Sequence, residues 1–255
     1  MADASALETL LTPGHLRAFL QPVFDLSETR KVHLLECLTR GPSGTNMEAA
    51  PVLFEYARRK RQESMVDRLC VVNALAAVRR LRPAYALSIN VHASTLERDP
   101  DFPEFFSQVL EEQEIAASRI TIEIVEHAPA WEGPRLRRCL DVLRELGIKV
   151  ALDDIGLGQS NYRMILECDP DYFKIDRYLV QGCESDSRRR AILESLLGLA
   201  TRMGSKVIAE GIETNGDLET LKAIGITLLQ GFLLAAPKAA SELPSEGHEW
   251  ETGAA

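Results

Sequence analysis

The chain has 255 residues, 45% hydrophobic and 26% charged, with a net charge of −9. This is the balance of an ordinary globular protein, and its acidity argues against a binder of duplex nucleic acid, which carries a basic face. The five cysteines, Cys37, Cys70, Cys139, Cys168 and Cys183, form no C-x-x-C pair. They read as reduced thiols of a cytoplasmic protein. The first residues lack a basic and apolar leader, and no apolar run nears the roughly 20 residues of a membrane span, so no membrane association is expected.

In chain order, Phe19–Leu26 and Lys31–Thr39 flank a polar stretch, Ser27–Arg30, and read as an antiparallel hairpin. Leu53–Leu81 reads as one long helix, with Val66, Leu69, Cys70 and Ala77 at helical spacing. Strand 86–91, helix 103–113, strand 119–126, helix 133–146 and strand 149–153 follow. Strand 171–175, helix 187–203, strand 206–210, helix 215–224 and strand 227–231 complete the series. Gly147, Gly204 and Gly225 stand between a helical run and a strand, where a left-handed helix end is wanted. Such alternation implies a mostly parallel sheet. About eight strands in a chain near the usual ~250 residues favour closure into an α/β, TIM-like (β/α)8 barrel, with an antiparallel first strand. The barrel is expected over 17–238, after an N-terminal extension of 1–16. The segment 239–255, rich in Ser, Glu, Gly and Ala, is expected to be a disordered tail.

Nearly every strand ends in an acid, an amide or a lysine: Glu36, Asn90, Glu123, Asp153 with Asp154, Lys174, Glu210 and Gln230. Polar groups at one repeated strand end are how a parallel barrel builds an active site at its C-terminal face. So many carboxylates repel one another unless a cation sits between them. An all-oxygen set of Asp, Glu and Asn suits Mg²⁺, Mn²⁺ or Ca²⁺ rather than zinc.

The ordered strings Gln21-Pro-Val-Phe-Asp-Leu, Glu36-Cys-Leu-Thr-Arg40, Ser88-Ile-Asn-Val91, Glu123-Ile-Val-Glu126, Asp153-Asp154-Ile-Gly156, Phe173-Lys-Ile-Asp176, Ala209-Glu-Gly-Ile-Glu213 and Gln230-Gly231 cover roughly 17–237. Together they resemble the EAL-domain family of cyclic di-GMP phosphodiesterases. The resemblance implies hydrolysis of cyclic di-GMP to linear 5'-pGpG, with two Mg²⁺ or Mn²⁺ ions per site. It implies that Glu36, Asn90, Glu123 and Asp153 hold one ion, and that Asp153, Asp154 and Glu210 surround the second. Two such ions, about 4 Å apart, serve an in-line displacement at phosphorus. It further implies Lys174 as the group orienting the attacking water and Glu210 as its general base. Gln21, Leu38, Arg40 and Gln230 become substrate contacts, and Glu126 the acid that holds the loop after Asp154. Cyclic di-GMP is the expected partner, and a homodimer the expected assembly. The rival reading is a catalytically weak cyclic di-GMP receptor or protein-interaction module, as in relatives that have lost metal ligands; here the ligand set is complete.

The departures from the family pattern are local. Cys37 replaces an alanine, Gly41 stands where an aromatic often follows Arg40, and Ile155 and Leu157 alter the loop after the paired aspartates. Leu234 and Ala236 replace an aromatic and an arginine expected near the substrate base, which implies weaker stacking. His92 lies two residues past Asn90 and is expected to be packed or hydrogen-bonded rather than a ligand.

Overall fold

The computed structural model describes residues 15–27, 30–79, 81, 85–125, 134–156, 162–243 and 250. Two long strands open the fold, Arg17–Asp25 (β1) and Lys31–Arg40 (β2), antiparallel over their whole length. Helices Ala50–Lys60 (α1) and Glu63–Val78 (α2) lead to strand Leu87–His92 (β3). Helices Ala93–Arg98 (α3) and Phe102–Glu112 (α4) precede Ile120–Val125 (β4). Helix Pro134–Glu145 (α5) is followed by Lys149–Ile155 (β5), Tyr162–Cys168 (α6) and Tyr172–Ile175 (β6). Then come Arg177–Val180 (α7), Ser187–Met203 (α8), Lys206–Ala209 (β7), Asn215–Ile224 (α9), Leu228–Leu229 (β8) and Lys238–Ala239 (β9).

Strands β2 to β8 pair in sequence order and run parallel. β1 closes the barrel, antiparallel to both β2 and β8. The expected TIM-like barrel with its inverted first strand is therefore present. Side chains alternate across a strand, so residues two apart share a face. Val23, Leu34, Ala151, Tyr172, Ile208 and Leu228 fill the barrel interior as one apolar layer. One two-residue step further stand Gln21, Glu36, Asp153 and Lys174 on their strands, and Glu210 and Gln230 just past the ends of β7 and β8. The same step leads from buried Ser88 to Asn90 and from buried Thr121 to Glu123. The apolar layer is thus the floor of the polar site. The larger core lies outside the strands, where Phe102, Phe106, Leu140 and Leu193 are buried among the helices.

Three expectations are corrected. The single helix over 53–81 is two helices, because Arg61 takes a left-handed conformation (φ 56°) and its N–H bonds back to the carbonyls of Ala57 and Arg58. The break lets Leu53 and Ala57 of α1 fold onto Val66 and Cys70 of α2. The short helices α3, α6 and α7, of 6, 7 and 4 residues, were not anticipated. Too few turns are present for a periodic signal. Finally, part of the segment expected to be disordered is built into the fold. β8 pairs with β1 only at Phe24 and Asp25, and β9 covers the exposed edge at Phe19 and Leu20. Trp250 is buried against the main core. An uncovered strand edge presents unsatisfied backbone groups, which β9 pairs.

Candidate metal centre and active site

Lys174 on β6 is buried and lies among four carboxylates. Its Nζ contacts Glu123 Oε1 directly, lies 2.6 Å from Glu210 Oε1, and lies 3.6 Å from both Glu36 Oε1 and Asp153 Oδ1. Asn90 Nδ2 donates to Glu36 Oε1 at 3.2 Å, and Gln230 Nε2 to Glu36 Oε2 at 2.6 Å. The Ser88 hydroxyl donates to Glu123 Oε2. Oxygens of Glu123, Asp153 and Glu210 all lie within 4.8 Å of one another. Acids far apart in the chain therefore meet because each strand delivers its own to the same level.

Asp154 lies near enough to repel the Asp153 and Glu210 carboxylates, and the backbone is irregular where it stands. A regular strand would point it away from Asp153. Here the β5–β6 register shifts between Leu152 and Ile155, and Asp154 adopts φ 52°. Asp is among the few residues that enter this left-handed region readily. Gly156 follows at φ 98°, and a Cβ there would lie 2.4 Å from Leu179 Cδ1. The conformation favours glycine, and the Leu179 side chain would have to shift to admit a Cβ.

The electrostatics follow from four carboxylates sharing one ammonium. Burial pushes the Glu36 carboxyl up, but the Lys174 charge and hydrogen bonds from Gln230 and Asn90 outweigh it, leaving the pKa lowered. Burial lowers the Lys174 pKa, and attraction to Glu210 and Glu36 more than offsets this. Asp153 is raised well above the usual carboxylate range by burial and by repulsion from Glu210, Asp154 and Glu36. Glu210 is raised to about 7, with burial the largest cause and Lys174 opposing it. One lysine leaves this acidic group under-neutralised. An oxygen-only donor set with excess negative charge fits hard divalent cations.

The remaining candidate residues line the approach. Gln21 stands opposite Glu36 in the β1–β2 register, and its Nε2 donates to the Ala235 carbonyl at 3.1 Å. Leu38 and Arg40 lie one and two same-face steps beyond Glu36, toward the rim. With Phe54, Ile89 and His92 they line a cavity of about 220 Å³ that opens beside Glu36, Asn90 and Asp153. Glu126 lies outside the described residues. His92 is held away from the acids: its Nδ1 lies 2.8 Å from Asp67 Oδ1, and its ring packs on Phe54. Burial and the adjacent Glu36 charge push the Cys37 thiol up, so it is a packing residue. A Cβ on Gly41 would lie 2.0 Å from the Met47 carbonyl oxygen, so the returning loop takes the place of an aromatic side chain. Leu234 is 3% exposed and packed in the main core, and as an aliphatic side chain it offers no ring on which a base could stack. Ser88 was missed as a site residue; its signal was a small polar residue two positions before Asn90 on an otherwise apolar strand.

A closed parallel barrel with one inverted strand, carrying this acidic cluster at its C-terminal mouth, defines a TIM-like barrel of the kind suited to metal-assisted chemistry. The EAL domain family matches residues 4–237, and the chain belongs to that family. It is 28% identical over 238 residues to the cyclic di-GMP phosphodiesterase NbdA of Pseudomonas aeruginosa, covering 91% of this chain and 30% of NbdA. It is 25% identical over 245 residues to the oxygen sensor protein DosP of Escherichia coli, covering 94% of this chain and 30% of DosP. The chain thus spans about a third of the length of these relatives. Among solved structures, the manganese and cyclic di-GMP complex of Klebsiella pneumoniae BlrP1 superposes with a TM-score of 0.80 at 27% identity, over 90% of this chain and 58% of that one. A standalone EAL protein of Vibrio cholerae, bound to cyclic di-GMP, shares the fold with a TM-score of 0.77 at 24% identity, over 87% of this chain and 92% of that one. Among the described residues, no helix is long and apolar enough to cross a membrane.

Proposed function

We propose that this protein is a metal-dependent phosphodiesterase that opens one phosphodiester of cyclic di-GMP to give linear 5'-pGpG. The observation that carries the reading is the oxygen-donor set of Glu36, Glu123, Asp153 and Glu210 around Lys174, with Asn90 bonded to Glu36. The relatives named as cyclic di-GMP phosphodiesterases support the substrate. In this reading Glu36, Asn90, Glu123 and Asp153 would hold one Mg²⁺ or Mn²⁺, and Asp153, Asp154 and Glu210 would hold another. When bound, the ions supply Lewis-acid stabilisation of the attacking and leaving oxygens.

The protein's own groups divide the remaining work. Glu210 is the carboxylate assigned to accept the proton of the attacking water, and bound cations would offset the burial and repulsion that raise its pKa in their absence. Lys174, held cationic among the acids, orients that water by hydrogen bonding. The water oxygen bonds to phosphorus, the bond from phosphorus to the ribose 3' oxygen breaks, and the leaving oxygen takes a proton. Arg40 binds a phosphate oxygen through its guanidinium fork. Gln21, Leu38 and Gln230 complete the substrate bed. A homodimer belongs to the same reading, supported by exposed Tyr162 and Leu166 one turn apart on α6.

Incubation with cyclic di-GMP and Mg²⁺ or Mn²⁺, with chromatographic detection of the linear product, tests the proposal. Appearance of 5'-pGpG in metal and its absence in chelator is the expected result. A catalytically weak receptor would bind the dinucleotide without forming product. Sedimentation at micromolar concentration checks the dimer.

A further inference from the structure

Directly opposed side chains of an antiparallel pair share one face of the sheet. On the interior face, β1 and β2 therefore build a ladder of three rungs: Gln21 opposite Glu36, Phe19 opposite Leu38, and Arg17 opposite Arg40. Successive rungs are about 7 Å apart. The innermost rung belongs to the acidic cluster through the contact of Glu36 with Lys174. The middle rung places an aromatic ring one step outward, and the outer rung places two guanidinium groups at the rim.

These groups touch. The guanidinium carbons of Arg17 and Arg40 lie 5.7 and 5.8 Å from the centroid of the Phe19 ring. Both distances fall within the reach of a cation–π contact. Arg17 is fixed by an ion pair with Glu48, whose other carboxylate oxygen accepts the Gly44 N–H at 2.9 Å. Phe19, Leu38, Arg17 and Arg40 are all partly exposed. The position where the family resemblance expects an aromatic is occupied by Leu234, a buried aliphatic side chain. Phe19 on β1 therefore sets an aromatic ring beside Leu38 and Arg40, which line the cavity next to the acids.

Resting on the reading of a cyclic dinucleotide substrate, we propose that Phe19 is the platform on which one purine base stacks, with Arg17 and Arg40 at its edge. A phosphodiester held at the acid level carries its base one ribose away, comparable to one rung of the ladder. An aromatic ring offers every purine a π-face, and neighbouring arginines add cation–π attraction. Arg40 then serves both the phosphate and the platform, and Arg17 serves the platform alone.

Binding of cyclic di-GMP measured by calorimetry in Ca²⁺, without turnover, tests this. Phe19→Leu keeps an apolar side chain but removes the ring, and its affinity should fall about tenfold or more. Phe19→Trp should bind as tightly as the parent. Its added fluorescence should be quenched by the dinucleotide beyond any change in the native tryptophans. Arg17→Gln should weaken binding by a smaller factor. Parent-like affinity of Phe19→Leu, or no added quenching in Phe19→Trp, overturns the platform while leaving the phosphodiesterase reading in place. Failure of the parent protein itself to bind cyclic di-GMP overturns both, and so separates the two outcomes.

Discussion

Lys174 is the residue on which the site depends before any cation arrives. It is 2% exposed and neutralises part of the charge on Glu36, Glu123, Asp153 and Glu210. Removing one partner of a buried ion pair costs about 3–5 kcal/mol because the remaining charge is left uncompensated. Lys174→Met should lower the melting temperature of the metal-free protein by calorimetry, and millimolar Mg²⁺ or Mn²⁺ should restore part of the loss. The same variant should lower kcat by about 10²–10³-fold, the usual loss when a donor acting in the transition state is removed. Binding of cyclic di-GMP in Ca²⁺ should change little by comparison. Equal losses in rate and binding would make Lys174 a plain phosphate contact. Lys174 was readable in the sequence as a strand-end cation among strand-end acids. The support that Ser88 gives Glu123 was not, because the hydroxyl and carboxylate meet only when β3 and β4 pair.

Elements are held in place by polar contacts at their ends. Asp99 caps the C-terminus of α3 and ties it to α2, accepting from Arg68 Nε at 2.8 Å and Nη2 at 2.7 Å and from the Ser64 hydroxyl. The Arg68 hydrogen bonds, helped by Ser64 and opposed by burial, lower the Asp99 pKa from 3.8. A depressed folded-state pKa means that the stabilisation is fully present above pH 3.8 and is lost as pH falls through the folded value. Asp99→Asn should cost about 1–3 kcal/mol at neutral pH. Urea unfolding at a series of pH values should show that penalty shrinking below the ordinary Asp range. A second element-scale test concerns the crossing after β7 and β8. Ile212 N–H bonds to the Gln230 carbonyl at 3.1 Å, and a Cβ on Gly231 would lie 2.2 Å from the Ile212 carbonyl oxygen. Gly231→Ala should cost about 1–3 kcal/mol by overpacking. It should also disturb turnover, since Glu210 and Gln230 flank this crossing. Thermal unfolding and steady-state kinetics on one preparation check both effects.

At the scale of the whole molecule, the acidic mouth links stability to cations. A ligand that binds only the folded state stabilises it by about 2.7 kcal/mol at a hundredfold excess over its Kd. Mg²⁺, Mn²⁺ and Ca²⁺ should each raise the melting temperature. Mg²⁺ and Mn²⁺ should support hydrolysis and Ca²⁺ should inhibit it, because Ca²⁺ takes more ligands at longer distances. Robust hydrolysis in excess chelator would sink the metal assignment, while a melting temperature indifferent to all three ions would argue that the acids hold none. Calorimetry with each ion and product chromatography in parallel provide both readouts.

Polar residues at the ends of short apolar strands, with helical runs between them, were sufficient to indicate a barrel and its acidic mouth. Strand periodicity and strand-end chemistry are local properties, carried by neighbours along the chain. Helix 187–203 has the bounds expected of it: Gly204 marks its C-terminus in the sequence and takes the left-handed position there, and in the structure Asp186 caps the N-terminus. The break at Arg61, the inward turn of Leu234 and the addition of β9 to β1 were decided by tertiary structure. Arg61 is not a residue that ordinarily signals a left-handed turn, and its conformation is stabilised by packing α1 against α2. Leu234 is aimed by the core it enters, and its carbonyl is held by Arg30 Nη2 at 2.8 Å across the fold. β9 is a strand because closure leaves an edge of β1 for it to pair. The rungs of Phe19 with Leu38 and Arg17 with Arg40 likewise exist only once the register between β1 and β2 is set, since a slip of one residue would turn those side chains to the opposite face.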